Sequence, residues 1–282
     1  MIDVLSYQFF QNALIISVLS SIAAGIVGTY IVVKRMSLVS GSISHAAFGG
    51  LGISYFLGMN PLLGATIFSL LASTGVAFFR KSAGNRLDVL LSFLWATGMA
   101  IGLVFIFLTP GYATDLFTFL FGNILLVSAA DIWMILALDL VIVAAVSLMY
   151  NSFLAATFDE EFAEVGNLKT GIVYAVLFGL MALTIVTTIR VVGIVLMIAI
   201  LTLPAATAQL FRKRVKEIMA LSALIALFAS VSGLFISYYL DFSTGPIIVL
   251  ILSFLYLFGM LAKGIWKPVR EKGTVRANCK NI

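Results

Sequence analysis

One histidine, one cysteine and twelve carboxylates are all that the chain offers for metal or acid–base chemistry. The histidine, His45, lies in Ser44-His45-Ala46-Ala47-Phe48-Gly49-Gly50. On a helix its same-face neighbours are Gly41 and Ser42 one turn before, and Phe48 and Gly49 one turn after. Three of these four are small, so the imidazole is expected to have room, in a slot or along a passage. Neutral imidazole is the commonest metal ligand. The bland reading is a histidine bonded to a neighbouring helix for packing. Asp139 stands inside another apolar run. There it could be a counter-ion, a proton carrier or a transient cation ligand, or simply face a hydroxyl on another helix. The lone thiol, Cys279, makes neither an intrachain disulfide nor a thiolate cluster. Arg86 and Asp88 suit a helix start. Asp3, Asp115 and Asp241 are scattered, and the ten methionines form no cluster suited to a soft metal. No G-x-x-x-x-G-K-[ST] exists, so ATP cannot be bound by a P-loop. No nucleophile–histidine–acid set has workable spacing, so an enzyme is not expected. Any active transport must draw on a separate ATPase or an ion gradient.

The elements that must position these residues are membrane helices. Hydrophobic residues make up 62% of the 282 residues and charged residues 10%. A soluble domain could not hide that much apolar surface, and disorder is excluded on the same ground. The net charge is +5. Its basic residues sit in short loops between apolar runs, where they set topology and do not suggest nucleic acid. Runs long enough to span cover 11–33, 38–58, 61–79, 87–108, 131–149, 171–189, 191–211, 218–240 and 244–262. A tenth stretch, Phe117 to Val127, is too short and is expected to be a re-entrant or interfacial helix. With the N-terminus outside and nine spans, 16 of the 17 Lys and Arg fall in the cytoplasm, leaving Arg190 outside. A tenth span would turn the clusters at 212–216 and 263–280 outward, against the positive-inside bias. The first run lacks a basic leader, so it is expected to be a span and not a cleaved signal.

The fold expected is therefore an all-α polytopic bundle of about nine spans. Residues 1–262 form the membrane domain, and 263–282 a basic cytoplasmic tail near anionic headgroups. Gly98 and Gly102, Gly25 and Gly28, and Ala46 and Gly50 are spaced for close helix approach. Pro204 should disturb its helix. The longest internal polar loop, 150–170, holds Thr157-Phe158-Asp159-Glu160, a capping-box pattern, then Glu161, Glu164 and Gly166. This predicts a short cytoplasmic helix at about 158–165 with Gly166 at its C-terminal turn, where a partner could grip it.

Several segments then resemble a known family in order. Arg35-Met36-Ser37-Leu38 with Ser44-His45-Ala46 resembles the R-x-S-L…S-H-A signature of metal ABC transporter permeases of the zinc/manganese type. Leu120-Phe121-Gly122-Asn123-Ile124-Leu125 resembles that family's L-F-G-[SN]-I-L, and Phe158 to Ala163 its F-D-x-x-x-A segment. Val192-Gly193-Ile194-Val195-Leu196 through Pro204-Ala205-Ala206-Thr207-Ala208 resembles its V-G-x-x-L…P-A-A-[TA]-A stretch. The resemblance covers most of residues 10–262 and implies an importer permease in a prokaryotic cell membrane. It implies a homodimer with its passage at the two-fold axis, a separate cytoplasmic ATPase and an extracytoplasmic metal-binding protein.

On this reading a divalent metal ion, zinc first and manganese or iron next, is cargo, and no cofactor is held stably. His45 is the metal ligand. Asp139, Ser42 and Gly49 join it along the route. Asp159, Glu160, Glu161, Ala163 and Gly166 belong to the helix coupled to the ATPase. Family members often carry Asp four residues before the histidine, where this chain has Gly41. Two other readings compete. A gradient-driven secondary transporter would use Asp139 and His45 and should show inverted repeats, which the chain does not display. A scaffold would use its small residues for packing alone, and replacing His45 would then have no phenotype.

Overall fold

The computed structural model describes residues 6–109, 120–124 and 127–266. Among these residues the regular structure is entirely helical. All nine apolar runs are helices: α1 Gln8–Val33, α2 Ser37–Phe56, α3 Pro61–Ala83, α4 Leu87–Leu108, α5 Ala129–Phe158, α7 Thr170–Val192, α8 Met197–Phe211, α9 Val215–Leu240 and α10 Thr244–Trp266. A short helix, α6 Glu160–Val165, sits between α5 and α7. Seven of the long helices are long and apolar enough to cross a membrane. The other two depart for physical reasons. α8 is only 15 residues long. α2 carries Ser37, Ser40, Ser42, Ser44 and His45, and is shielded from surroundings over nearly all of Val39–Ser54. A polar helix is tolerable in lipid only when its neighbours cover it.

The bundle has two groups joined by α7. α2 packs on α3 and α4, while α1 packs on α8 and α9, with α10 beside those two. α7 touches α1, α2, α3, α5, α8 and α10. Small residues make the α2 crossings possible. A Cβ on Gly98 of α4 would lie 2.5 Å from the His45 carbonyl oxygen and 2.7 Å from the Ala46 Cα, and one on Gly50 would strike α3 at Gly64 and Phe68. The expected glycine contacts thus bring backbones together, with dispersion replacing the hydrophobic drive that lipid does not supply.

Turn chemistry punctuates the helices. Asn60 caps α3 by accepting from the Leu62 N–H at 2.9 Å, with Pro61 in the first helical position. Ser128 and Asp131 form a capping box at the start of α5. Three expectations need revising here. α5 does not stop at 149 but runs to Phe158, because Phe153, Ala156 and Thr157 still face inward. Thr157 is therefore inside a helix, and the N-cap of α6 is Asp159, whose carboxylate accepts from the Phe162 N–H at 2.9 Å. At the other end Asn167, not Gly166, takes the left-handed conformation, at φ 63°. The Asn167 and Leu168 N–H groups return to the Glu164 and Ala163 carbonyls, the Schellman pattern.

The stretch expected to re-enter the membrane, Phe117 to Val127, lies within the described residues only at 120–124 and at Val127. Its part 120–124 turns at Gly122, φ 75°, and lies against the break between α7 and α8. The Leu120 carbonyl accepts from the Val195 N–H at 3.1 Å, and Ser243 Oγ donates to the Gly122 carbonyl at 2.8 Å. The tail beyond Trp266 also lies outside the described residues.

Candidate functional site

His45 is buried in α2 at 6% exposure. The room expected around it is filled: the Trp95 indole of α4 stacks on the imidazole, centroids 4.2 Å apart and planes at 25°. Gly41 makes that possible, because a Cβ there would lie 2.5 Å from the Trp95 ring and 2.8 Å from Ile198. The imidazole Nδ1 is buried and has no hydrogen-bond partner. The packing histidine of the bland reading would satisfy that nitrogen through a neighbour. Ser42 turns back on its own helix, its Oγ donating to the Leu38 carbonyl at 2.8 Å. Gly49 lies at the α2–α4 crossing, where a Cβ would sit 3.0 Å from the Gly98 carbonyl oxygen.

Asp139 is buried in α5 at 4% exposure, and neither carboxylate oxygen has a hydrogen-bond partner. It belongs to the inward stripe Asp131, Ile135, Asp139 and Ile142, on the helix that packs against α1 and α7. His45 stands at the α2–α4 interface, so within one chain the two residues occupy different helix interfaces. A mechanism that pairs them directly gains nothing from this arrangement. Among the described residues no group of three or more His, Cys, Asp or Glu could hold a metal ion.

The second site is α6 with its fastenings. Arg80 of α3 grips Glu160 in a two-pronged ion pair, Nη2–Oε1 2.5 Å and Nη1–Oε2 3.1 Å. The same guanidinium lies 3.7 Å over the Tyr174 ring. Lys81 pairs with Glu164 at 2.5 Å, and the Thr170 hydroxyl donates to the same carboxylate. Lys34 Nζ donates to the Ala156 and Thr157 carbonyls at 3.1 Å each, and the Tyr174 hydroxyl donates to Ala156 at 2.9 Å. These groups satisfy the last carbonyls of α5, where a cation also suits the helix dipole.

The electrostatics follow. The Arg80 hydrogen bond holds the Glu160 carboxyl below its usual range, and Lys81 and then Thr170 do the same for Glu164. Burial lowers Lys34, with Glu160 opposing it. Of the five residues expected to couple, Asp159 and Glu160 are used to form and fasten α6, and Ala163 is buried beneath it. Glu161 and Gly166 are exposed. Sequence reasoning missed the exposed apolar side chains here: Phe158 at the end of α5 is 66% exposed, and Phe162 and Val165 of α6 are 74% and 87% exposed. The i, i+3 spacing of Phe162 and Val165 within α6 was the available signal.

A family model described as the ABC 3 transport family matches residues 6–263. The chain belongs to that family. It is 38% identical over 260 residues to an uncharacterized membrane protein of Synechocystis, covering 92% of each chain. It is 32% identical over 257 residues to the manganese transport system membrane protein MntC of Listeria monocytogenes, covering 91% of each. Among solved structures it matches a chain of PsaBC from Streptococcus pneumoniae in complex with Fab. The TM-score is 0.84 and the identity 33%, with 92% of this chain and 94% of that one covered. With its apolar helices, this membership makes the chain a polytopic membrane protein of ABC type.

Proposed function

We propose that this chain is the permease subunit of an ATP-driven importer of divalent transition metal ions. The observation that carries the reading is α6: a short helix outside the bundle, fastened by ion pairs, that offers Phe162 and Val165 to a partner, with Phe158 exposed beside them at the end of α5. Exposed aromatics ringed by charge are what a docking surface requires. The partner is a cytoplasmic ATPase, which supplies the hydrolysis that this chain has no motif to perform. An extracytoplasmic metal-binding protein delivers the cargo, and a second copy of the chain completes the passage. Nine spans with the N-terminus outside put α6, Arg80, Lys81 and Lys34 together on the cytoplasmic side.

His45 is the ligand along the route, with Ser42 and Gly49 beside it and Asp139 as a second polar station. ATPase closure moves α6, and the ion pairs carry that motion into α3 and so to α2. The cargo is released because its binding free energy differs between the two states. The relatives' names favour manganese as cargo. Zinc is favoured by one specific feature: the lone imidazole at position 45 has Gly41, not a carboxylate, one turn away.

Uptake of zinc, manganese and iron(II) by vesicles holding the chain with its ATPase and binding protein tests the reading. ATP-dependent uptake should fall by at least roughly tenfold in His45→Ala, since loss of even an outer-shell partner of a metal costs about that much. Glu161→Lys should weaken co-purification with the ATPase while folding persists. Uptake that ignores ATP and follows a pH gradient would instead make Asp139 the leading residue.

A further inference from the structure

α5 and α9 both pack on α1 but leave a cleft between them at the basic end of the bundle. Its inner part has a volume of about 580 Å³ and an apolar wall that includes Ile26, Val146, Met219 and Ala220. Polar groups, Ser147, Tyr150 and Asn151, gather in the same cleft. A second cavity of about 530 Å³ shares Tyr150 and Lys216 with the first and adds Lys213 and Arg214. All three basic residues are exposed, and Lys216 Nζ lies 4.8 Å over the Tyr150 ring. One carboxylate stands in the second cavity: Glu217, 3.8 Å from Arg214. The rim therefore carries three positive charges against one negative.

We infer that this cleft is a binding site for one anionic phospholipid, with its phosphate held by Lys213, Arg214 and Lys216 and an acyl chain along the Ile26–Val146–Met219 wall. The order of the chemistry matches the order of a bilayer. Lys216 is in the first turn of α9 and Lys213 and Arg214 precede it, at headgroup level, whereas Met219, Ala220 and Ile26 lie deeper along their helices. A soluble anion would have no use for the apolar wall, and a zwitterionic lipid none for the excess positive charge. Tyr150 and Asn151 can donate to the phosphodiester oxygens, and a ring at this depth suits the membrane interface. Each of the two open cavities falls in the size range of ligand-binding clefts. The inference requires only that the chain sits in a bilayer, not that it carries metal.

Native mass spectrometry of the full-length chain tests it, with phosphatidylglycerol and phosphatidylcholine of identical acyl chains as probes. The wild type should retain phosphatidylglycerol selectively. Each basic side chain near the headgroups contributes roughly fivefold, so the variant Lys213→Gln/Arg214→Gln/Lys216→Gln should lose on the order of a hundredfold in retention. Arg270→Gln/Lys272→Gln/Arg276→Gln, the same charge change in the tail, should lose far less. Two further variants separate the site from general folding. Ala220→Trp fills the cleft without altering charge and should expel the lipid. Glu217→Gln removes the opposing carboxylate and should raise retention. Equal retention of both lipids by the wild type would overturn the inference. So would a charge variant that keeps phosphatidylglycerol while losing self-association, which would make the cleft an interface between copies of the chain.

Discussion

The stack of Trp95 on His45 decides what the one imidazole of this chain can do. With the indole centroid 4.2 Å away one face of the imidazole is covered, and its Nδ1 is buried without a partner. Trp95 is then a positioning residue for His45, and Gly41 is the space its ring requires. Because His45 is the sole histidine, diethylpyrocarbonate modification read by peptide mass spectrometry reports on one imidazole. Trp95→Ala should speed that modification several-fold, and Gly41→Val should act in the same direction by displacing the indole. Unchanged rates in both variants would show that Trp95 does not control access. The sequence displayed the small residues around His45 but not the indole. Same-face spacing reports neighbours on one helix only, and residue 95 reaches position 45 through the α2–α4 crossing.

At the scale of elements, α6 shows how a local signal can be right in kind and displaced in detail. A hydroxyl three residues before Glu160 looks like a capping box, yet Thr157 is buried by the continuing α5, and Asp159 takes the cap. Tertiary burial outranks the pattern because an inward-facing Phe153 gains more than a helix end at 149 would. The fastening of α6 was not legible at all, since Arg80 and Glu160 are eighty residues apart. That pair is half-sheltered, its side chains 16% and 25% exposed. After allowance for solvent screening, its two charge-assisted bonds contribute about 1–2 kcal/mol to holding α6. Arg80→Ala should therefore raise hydrogen exchange across Glu160–Val165 while leaving the spans protected, and an Arg80/Glu160 double-mutant cycle should return coupling of that size. Its pH dependence has a definite sign. Glu160 and Glu164 are held below their free range, so their contribution is complete above the free value near 4.3 and disappears as pH falls through the lower folded values. Exchange in α6 should rise in acid ahead of global unfolding. A flat response down to complete carboxylate protonation would count against the ion pairs as its anchor.

For the whole molecule, the same contacts bear on topology. Lys34, Arg80 and Lys81 come from separate loops or helix ends and meet α6 at one end of the bundle. Lys213, Arg214 and Lys216 open α9, and Lys263 closes α10. The expected alternation of nine spans would place all of these on one face, because each misread span would invert every later loop. What hydropathy could not convey was which helices sit inside. α2 is polar and covered while α4 faces outward, a distinction that depends on glycine-mediated contact and not on mean composition. The proposed positive-inside orientation would put the basic face in the cytoplasm, together with the C-terminal tail and its single thiol, Cys279. A membrane-impermeant maleimide should leave the chain unlabelled on intact cells and label it once the membrane is opened, with Cys279→Ser blank in both. Labelling of intact cells would turn α6 and every basic cluster outward, where no ATPase could reach them, and the importer mechanism would fail with the orientation.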